Sequence, residues 1–200
     1  PMIVPEDSHE TERATLAIAE VPGPGVVRFA REATPVCTRE DTPFVFGKAN
    51  VIRLRGETEN FVDAFDTCLA EDYVSESEDL TIIACGPMVP EAMRAAFILK
   101  EERGLETRIL NVHTVKPLDR AAICAAARET GVIVTAEEHQ VGGFGNLVAG
   151  AICQGDVERP VKLRMVGVQD TYGESGQPWE LMKFFGLTAE HIAQTALGLL

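Results

Sequence analysis

The chain has 200 residues, 46% of them hydrophobic and 24% charged, with 31 acidic side chains against 18 basic ones. A formal net charge of -13 excludes a simple polyanion-binding role, because nucleic-acid binders concentrate Lys and Arg to neutralise phosphates. A mean hydropathy of +0.03, with no apolar run of about 18 residues, excludes a helix that crosses a membrane.

The first segment reads as strand, helix, strand. Met2-Ile3-Val4 is apolar, Asp7 or Ser8 is placed to cap a helix running to about Glu20, and Gly25-Val26-Val27-Arg28-Phe29-Ala30 closes the unit. Three elements cannot cover both faces of a parallel sheet, and Pro1 stands directly before an apolar strand. Residues 1–34 are therefore expected to be the tail of a larger domain. A polar linker follows at residues 35–43, and residues 44–200 form a second domain. Val45 to Leu54 reads as a strand with partial alternation and no crossover helix before it, which suits an antiparallel placement.

Residues 56–79 carry nine acidic side chains and no Lys or Arg, yet Phe61, Phe65, Leu69 and Tyr73 recur at helical spacing. This predicts an acidic amphipathic helix inserted between two strands. From there the alternation is regular. Leu80 to Cys85 is a buried-type strand, Val89 to Arg103 a helix stopped by Gly104, and Thr107 to Val112 a strand. Asp119 caps a helix through Ala127, Gly131 ends it, and Val132 to Ala136 is the next strand. A helix from about Asn146 to Cys153, a strand over Val161–Val168 and two terminal helices, Trp179–Phe185 and Thr188–Leu199, complete the pattern. The expected fold is α/β: three layers around a mostly parallel five-stranded sheet with one antiparallel strand, preceded by the βαβ remnant.

Five cysteines, widely spaced and mostly in apolar surroundings, form no CxxC pair and no Cys/His ligand spacing. They read as reduced, buried, structural thiols. With no charged-then-apolar leader, the expectation is a soluble cytoplasmic protein.

Ligands of open parallel sheets sit beyond the carboxyl ends of the strands. Four polar groups fall there: Cys85-Gly86-Pro87, Asn111 to Thr114, Glu137-Glu138-His139-Gln140, and Asp170 to Gly176. His113, His139 and the two carboxylates can share one edge, where a His beside a Glu can act as a general base. Equally, that edge can pack against another domain. Gly142-Gly143-Phe144-Gly145 precedes a helix and can offer backbone N–H groups to an anion, or simply turn the chain. Arg28 and Arg31 flank a strand end, placed either to clamp a phosphate or to form a linker salt bridge.

Taken together, five motifs closely resemble the C-terminal section of transketolase. They are Gly25 to Glu32 with Thr34-Pro35, Thr81 to Val89, Asn111 to Asp119, Thr135 to Gly145, and Gly167 to Gly176. The likeness covers nearly the whole chain apart from residues 56–79. The related 1-deoxyxylulose-5-phosphate synthases and 2-oxo acid dehydrogenase β subunits usually carry Arg where His113 stands. The resemblance is thus nearest to transketolases encoded as separate N- and C-terminal subunits.

That resemblance implies a transferase using thiamine diphosphate and magnesium to move a two-carbon ketol unit from a ketose phosphate to an aldose phosphate. It implies an N-terminal partner part or subunit, a homodimer of the whole enzyme, and sugar phosphates as ligands, with no nucleic acid and no membrane. The family's metal motif and pyrimidine-activating Glu lie upstream of these motifs, so no cofactor, metal or catalytic residue is expected here. Arg31, followed by Glu-Ala-Thr-Pro, matches the family Arg that binds the sugar phosphate. For His113, Glu138 and His139 the resemblance names no duty, leaving them as strand-end or interface residues. The alternatives are a 2-oxo acid dehydrogenase or synthase tail, and a non-catalytic dimerisation module.

Overall fold

The computed structural model describes residues 1–56 and 58–200; Glu57, inside the acidic segment, lies outside them. The chain opens with β1 (Met2–Ile3), α1 (Ser8–Ala19) and β2 (Val26–Val27). Asp7 caps α1 by accepting the Glu10 amide at 2.9 Å. β1 and β2 pair in parallel, as a βαβ unit requires. The sequence pattern does not reveal a third strand, β7 (Thr114–Lys116), which pairs antiparallel with β1 and ties the unit to the rest of the chain.

The main sheet contains β3 (Asn50–Leu54), β4 (Phe65–Leu69), β5 (Leu80–Ala84), β6 (Thr107–Asn111), β8 (Val132–Gln140) and β9 (Lys162–Val168), in the order β4-β3-β6-β5-β8-β9. Among the described residues it has six strands, not five. β6, β5, β8 and β9 run parallel, and β3 is antiparallel to β6. The extra strand comes from the segment read as an acidic helix. A 3-10 turn at Phe61–Ala64 leads into β4, which pairs residue for residue with β3 from Leu54↔Phe65 to Asn50↔Leu69.

Residues 61, 65, 69 and 73 are four apart, and a spacing of four fits a strand's period of two as well as a helix turn. The open edge of β3 decides between them. Among the described acidic residues of this segment, Asp63, Asp66, Glu71, Glu76 and Glu78 are ion-paired rather than simply solvated. The buried Glu78 carboxylate holds Arg108 at 2.6 Å and Arg53 at 3.1 Å, and Arg55 pairs with Asp66 and Glu76. Burial alone would raise the Glu78 pKa, but hydrogen bonds from Tyr73 and Arg108 outweigh it and hold it at about 2.

α2 (Met88–Arg103) and α6 (Ala189–Leu197) cover one sheet face, and α3 (Arg120–Thr130) and α4 (Phe144–Gln154) cover the other. β5 shows why: Leu80, Ile82 and Ala84 enter the first core, whereas Ile83 packs in the second. A strand buried on both faces needs such a continuous apolar run. Gly104 ends α2 at φ 67°, a left-handed conformation that glycine adopts without steric cost. The short α5 (Pro178–Phe184) lies beyond the carboxyl edge of the sheet, opened by Pro178 at its first turn. No helix among the described residues is long and apolar enough to cross a membrane.

Candidate functional site

A cavity of about 760 Å³ lies where the 30–35 segment, the start of α2 and the 174–187 segment meet. Pro87, Trp179, Met182 and Phe185 give it apolar walls, with Arg31 and Glu138 among its polar ones. The i, i+3 spacing of Trp179, Met182 and Phe185 along and just past α5 brings all three to one side.

The two arginines after β2 differ in use. Arg28 Nη2 donates to Glu138 Oε2 at 2.8 Å, both side chains being about one-third exposed, and so joins the first unit to β8. Arg31 is 88% exposed, and its Nε and Nη2 both donate to Glu32 Oε1, at 3.1 and 2.9 Å. An exposed pair between neighbours in sequence is weak, so an arriving anion can displace Glu32. Arg28 has no such freedom: moving it would strip Glu138 of its partner.

The sequence-predicted strand-end residues differ in burial and in partners. Glu138 and His139 are half-buried on β8, and burial, then nearby Arg28, lowers the His139 pKa. His113 is fully buried, stacked on Phe44 with ring centroids 4.3 Å apart, and its Nδ1 lies 3.0 Å from Thr114 Oγ1. Burial lowers its pKa to about 4, which keeps the ring neutral. Among the described residues, no hydrogen bond joins His113 to Glu138 or His139.

β8 runs on through Gln140, four residues beyond the expected end, and this places Glu137 inside the strand. Its fully buried carboxylate accepts the Phe144 amide at 2.7 Å and the Gly145 amide at 2.8 Å. The glycine-rich turn thus does present N–H groups to an anion, and the anion is the protein's own. A Cβ on Gly143 would stand 2.7 Å from Glu137 Oε2, which is why the turn needs glycine there.

Of the thiols, Cys85 and Cys124 are buried, Cys37 and Cys68 are half-buried, and Cys153 is exposed on α4, contrary to the uniformly buried expectation. Burial pushes Cys37 and Cys85 up to about 12, so neither is a nucleophile near neutrality. Among the described residues, no three His, Cys, Asp or Glu side chains converge as a metal site. Sequence reasoning missed the buried trio of Glu6, Glu10 and Asn111. The signal for its helix half is the Asp7-x-x-Glu10 spacing, which places a carboxylate to reach back across the helix start.

Comparison with known proteins gives this geometry a context. The family model described as transketolase, C-terminal domain, matches residues 71–192. The chain is 34% identical over 98% of its length to one subunit of the apulose-4-phosphate transketolase of Phocaeicola vulgatus, covering 55% of that protein. It is 34% identical over 96% of its length to the putative transketolase C-terminal section of Methanocaldococcus jannaschii, covering 53%. It also resembles the solved structure titled "Split gene transketolase, inactive beta4 tetramer", with a TM-score of 0.78 and 33% identity over 99% of this chain and 58% of that one. The chain therefore spans about half the length of these curated relatives. Family model, near full-length similarity and shared fold agree: the chain belongs to the transketolase C-terminal domain family.

Proposed function

We propose that this chain is the C-terminal part of a thiamine diphosphate-dependent transketolase-like enzyme, a transferase moving two-carbon ketol units between phosphorylated sugars. The observation that carries this reading is the match, over nearly the whole chain, to subunits of divided transketolases. In it, residues 1–34 complete a pyrimidine-binding domain, residues 35–43 link, residues 44–200 form the C-terminal domain with its acidic insertion at 56–79, and an N-terminal half is the partner. The whole enzyme is a homodimer of such assemblies working in the cytoplasm, which suits five free cysteines.

Thiamine diphosphate with its magnesium belongs to the complementary half. The glycine-rich helix N-terminus is taken by Glu137 rather than by the cofactor's diphosphate. What this chain offers the substrate is Arg31, exposed at the cavity rim and able to exchange Glu32 for the anionic end of a sugar. Glu138, His139 and His113 serve packing between the units rather than chemistry.

Arg31→Ala in the assembled enzyme is expected to raise KM for phosphorylated sugars roughly 10- to 100-fold, the value of one charge-assisted hydrogen-bonded contact. Unphosphorylated sugars should be nearly unaffected. Equal changes for both classes would remove the role assigned to Arg31. A second reading draws on 33% identity to the 1-deoxy-D-xylulose-5-phosphate synthase of Desulforudis audaxviator, of which this chain covers 27%. Pyruvate consumption in place of ketose consumption would favour it.

A further inference from the structure

Three acidic side chains are buried where the first unit meets the carboxyl end of β6: Glu6, Asp7 and Glu10, each 2% exposed. Asp7 is saturated. It accepts the amides of Glu10, Cys37 and Thr38 and the Thr38 hydroxyl. Glu6 and Glu10 are not. The Asn111 side-chain amide donates to Glu6 Oε1 at 3.0 Å and to Glu10 Oε1 at 2.8 Å, so both carboxyls converge on one nitrogen. The Glu6 backbone amide donates to Glu10 Oε2 at 2.7 Å. Glu6 Oε2 and Asn111 Oδ1 are buried without a hydrogen-bond partner among the described residues.

The surrounding charges do not neutralise this pair. On α1, Arg13 is held by the carbonyls of Thr42, Arg39 and Glu40, and its pull on Glu10 is the smallest influence there. From the linker comes the Cys37 thiol, itself raised by burial and then by Glu6 and Asp7. Past the end of β5 stands Cys85, which feels Glu137, Arg28, Glu138 and Glu10. Arg28 is bound to Glu138, and Glu137 is bound to the start of α4. On α2, Arg94 is paired with Glu91. Two carboxylates on one amide, with no cation in contact among the described residues, cannot both ionise without a large desolvation and repulsion cost. Burial drives Glu6 well above its ordinary value, with Glu10 and Asp7 adding to it. Burial likewise pushes Glu10 up to about 8, against the hydrogen bonds that lower it.

We propose that Glu6, Glu10 and Asn111 form a proton-dependent clasp holding the N-terminal βαβ unit, and the Arg28–Arg31 segment that leaves it, onto the carboxyl edge of the main sheet. Closing the clasp keeps a proton on the carboxyl pair, and opening it near neutrality releases that proton to solvent. The pair titrates as a unit. Its folded pKa exceeds the ordinary 4.5, so its contribution is complete below about pH 4.5 and is lost as pH rises through 8. The clasp follows from the fold and stands whichever reaction the assembled enzyme performs.

Hydrogen exchange of the chain at pH 6 and pH 9, corrected for intrinsic rates, tests it. Protection of the α1 amides should fall at least tenfold relative to those of α3 in the wild type. In Glu10→Gln, which keeps the shape and removes the charge, that pH dependence should disappear. If Glu10→Gln fails to fold, Glu6→Gln should show the same flattening. A wild-type α1 whose protection relative to α3 is unchanged by pH, or a folded Gln variant that retains the wild-type dependence, overturns the proposal.

Discussion

Single residues set the pH behaviour of this chain, and two of them pull in opposite directions. His113 is neutral in the folded protein, its pKa lowered by burial to about 4 from an ordinary 6.5. An unfolded chain binds that proton more readily, so the stability His113 contributes is present above pH 6.5 and lost as pH falls to 4. Glu10 has the reverse sign, as its raised pKa makes its contribution greatest in acid. Between about pH 4.5 and 6.5 the two partly cancel, which hides both from a measurement on the wild type alone. His113→Leu separates them. Urea unfolding at pH 7 and pH 4 should show the variant gaining on the wild type by about 3 kcal/mol at the lower pH, the equivalent of a shift of that size. A constant difference would mean that His113 takes up its proton as readily in the fold as in the unfolded chain. The existence of His113 at a strand end was legible in the sequence. Its burial was not, because Phe44, which stacks on it, lies some 70 residues earlier in an irregular segment.

Elements were legible where one face or both are plainly apolar, and illegible where a distant partner decides. β5 and β6 could be read directly, since strands buried on both faces are continuous runs. The helices α1, α2 and α3 carried their own stops and starts in Asp7, Gly104, Asp119 and Gly131. β4 could not be read, because its four-residue spacing suits helix and strand alike and only the open edge of β3 resolves it. β7 is three residues long and exists through pairing with β1, more than 100 residues away. The junction of β8 with α4 shows how an element end becomes specific. Glu137 satisfies two amides at the start of α4 that would otherwise be buried without partners. Glu137→Ala should cost about 2 kcal/mol in urea unfolding, with Glu137→Gln intermediate because one acceptor oxygen remains. A loss under about 0.5 kcal/mol for the alanine variant would mean that water or another group caps the helix.

For the whole molecule, the arrangement is two units joined at one edge. Val4 fits so closely against Gly86 that a Cβ there would stand 2.7 Å from it, and Arg28–Glu138 and the Glu6–Glu10–Asn111 cluster lie along the same seam. Along this seam the βαβ unit packs on the main sheet and presents Arg31 at the cavity beside it. The motif order pointed to this family, while the contacts across the seam, such as Glu10–Asn111 at 101 residues apart and Arg28–Glu138 at 110, had no local signature. The direct measurement is ketol transfer between phosphorylated sugars, with thiamine diphosphate and magnesium supplied, for this chain, for its N-terminal counterpart and for the two mixed. Activity is expected in the mixture and in neither half alone. Full transfer by the N-terminal half without this chain, or a mixture that binds together yet transfers nothing, would contradict the proposed role.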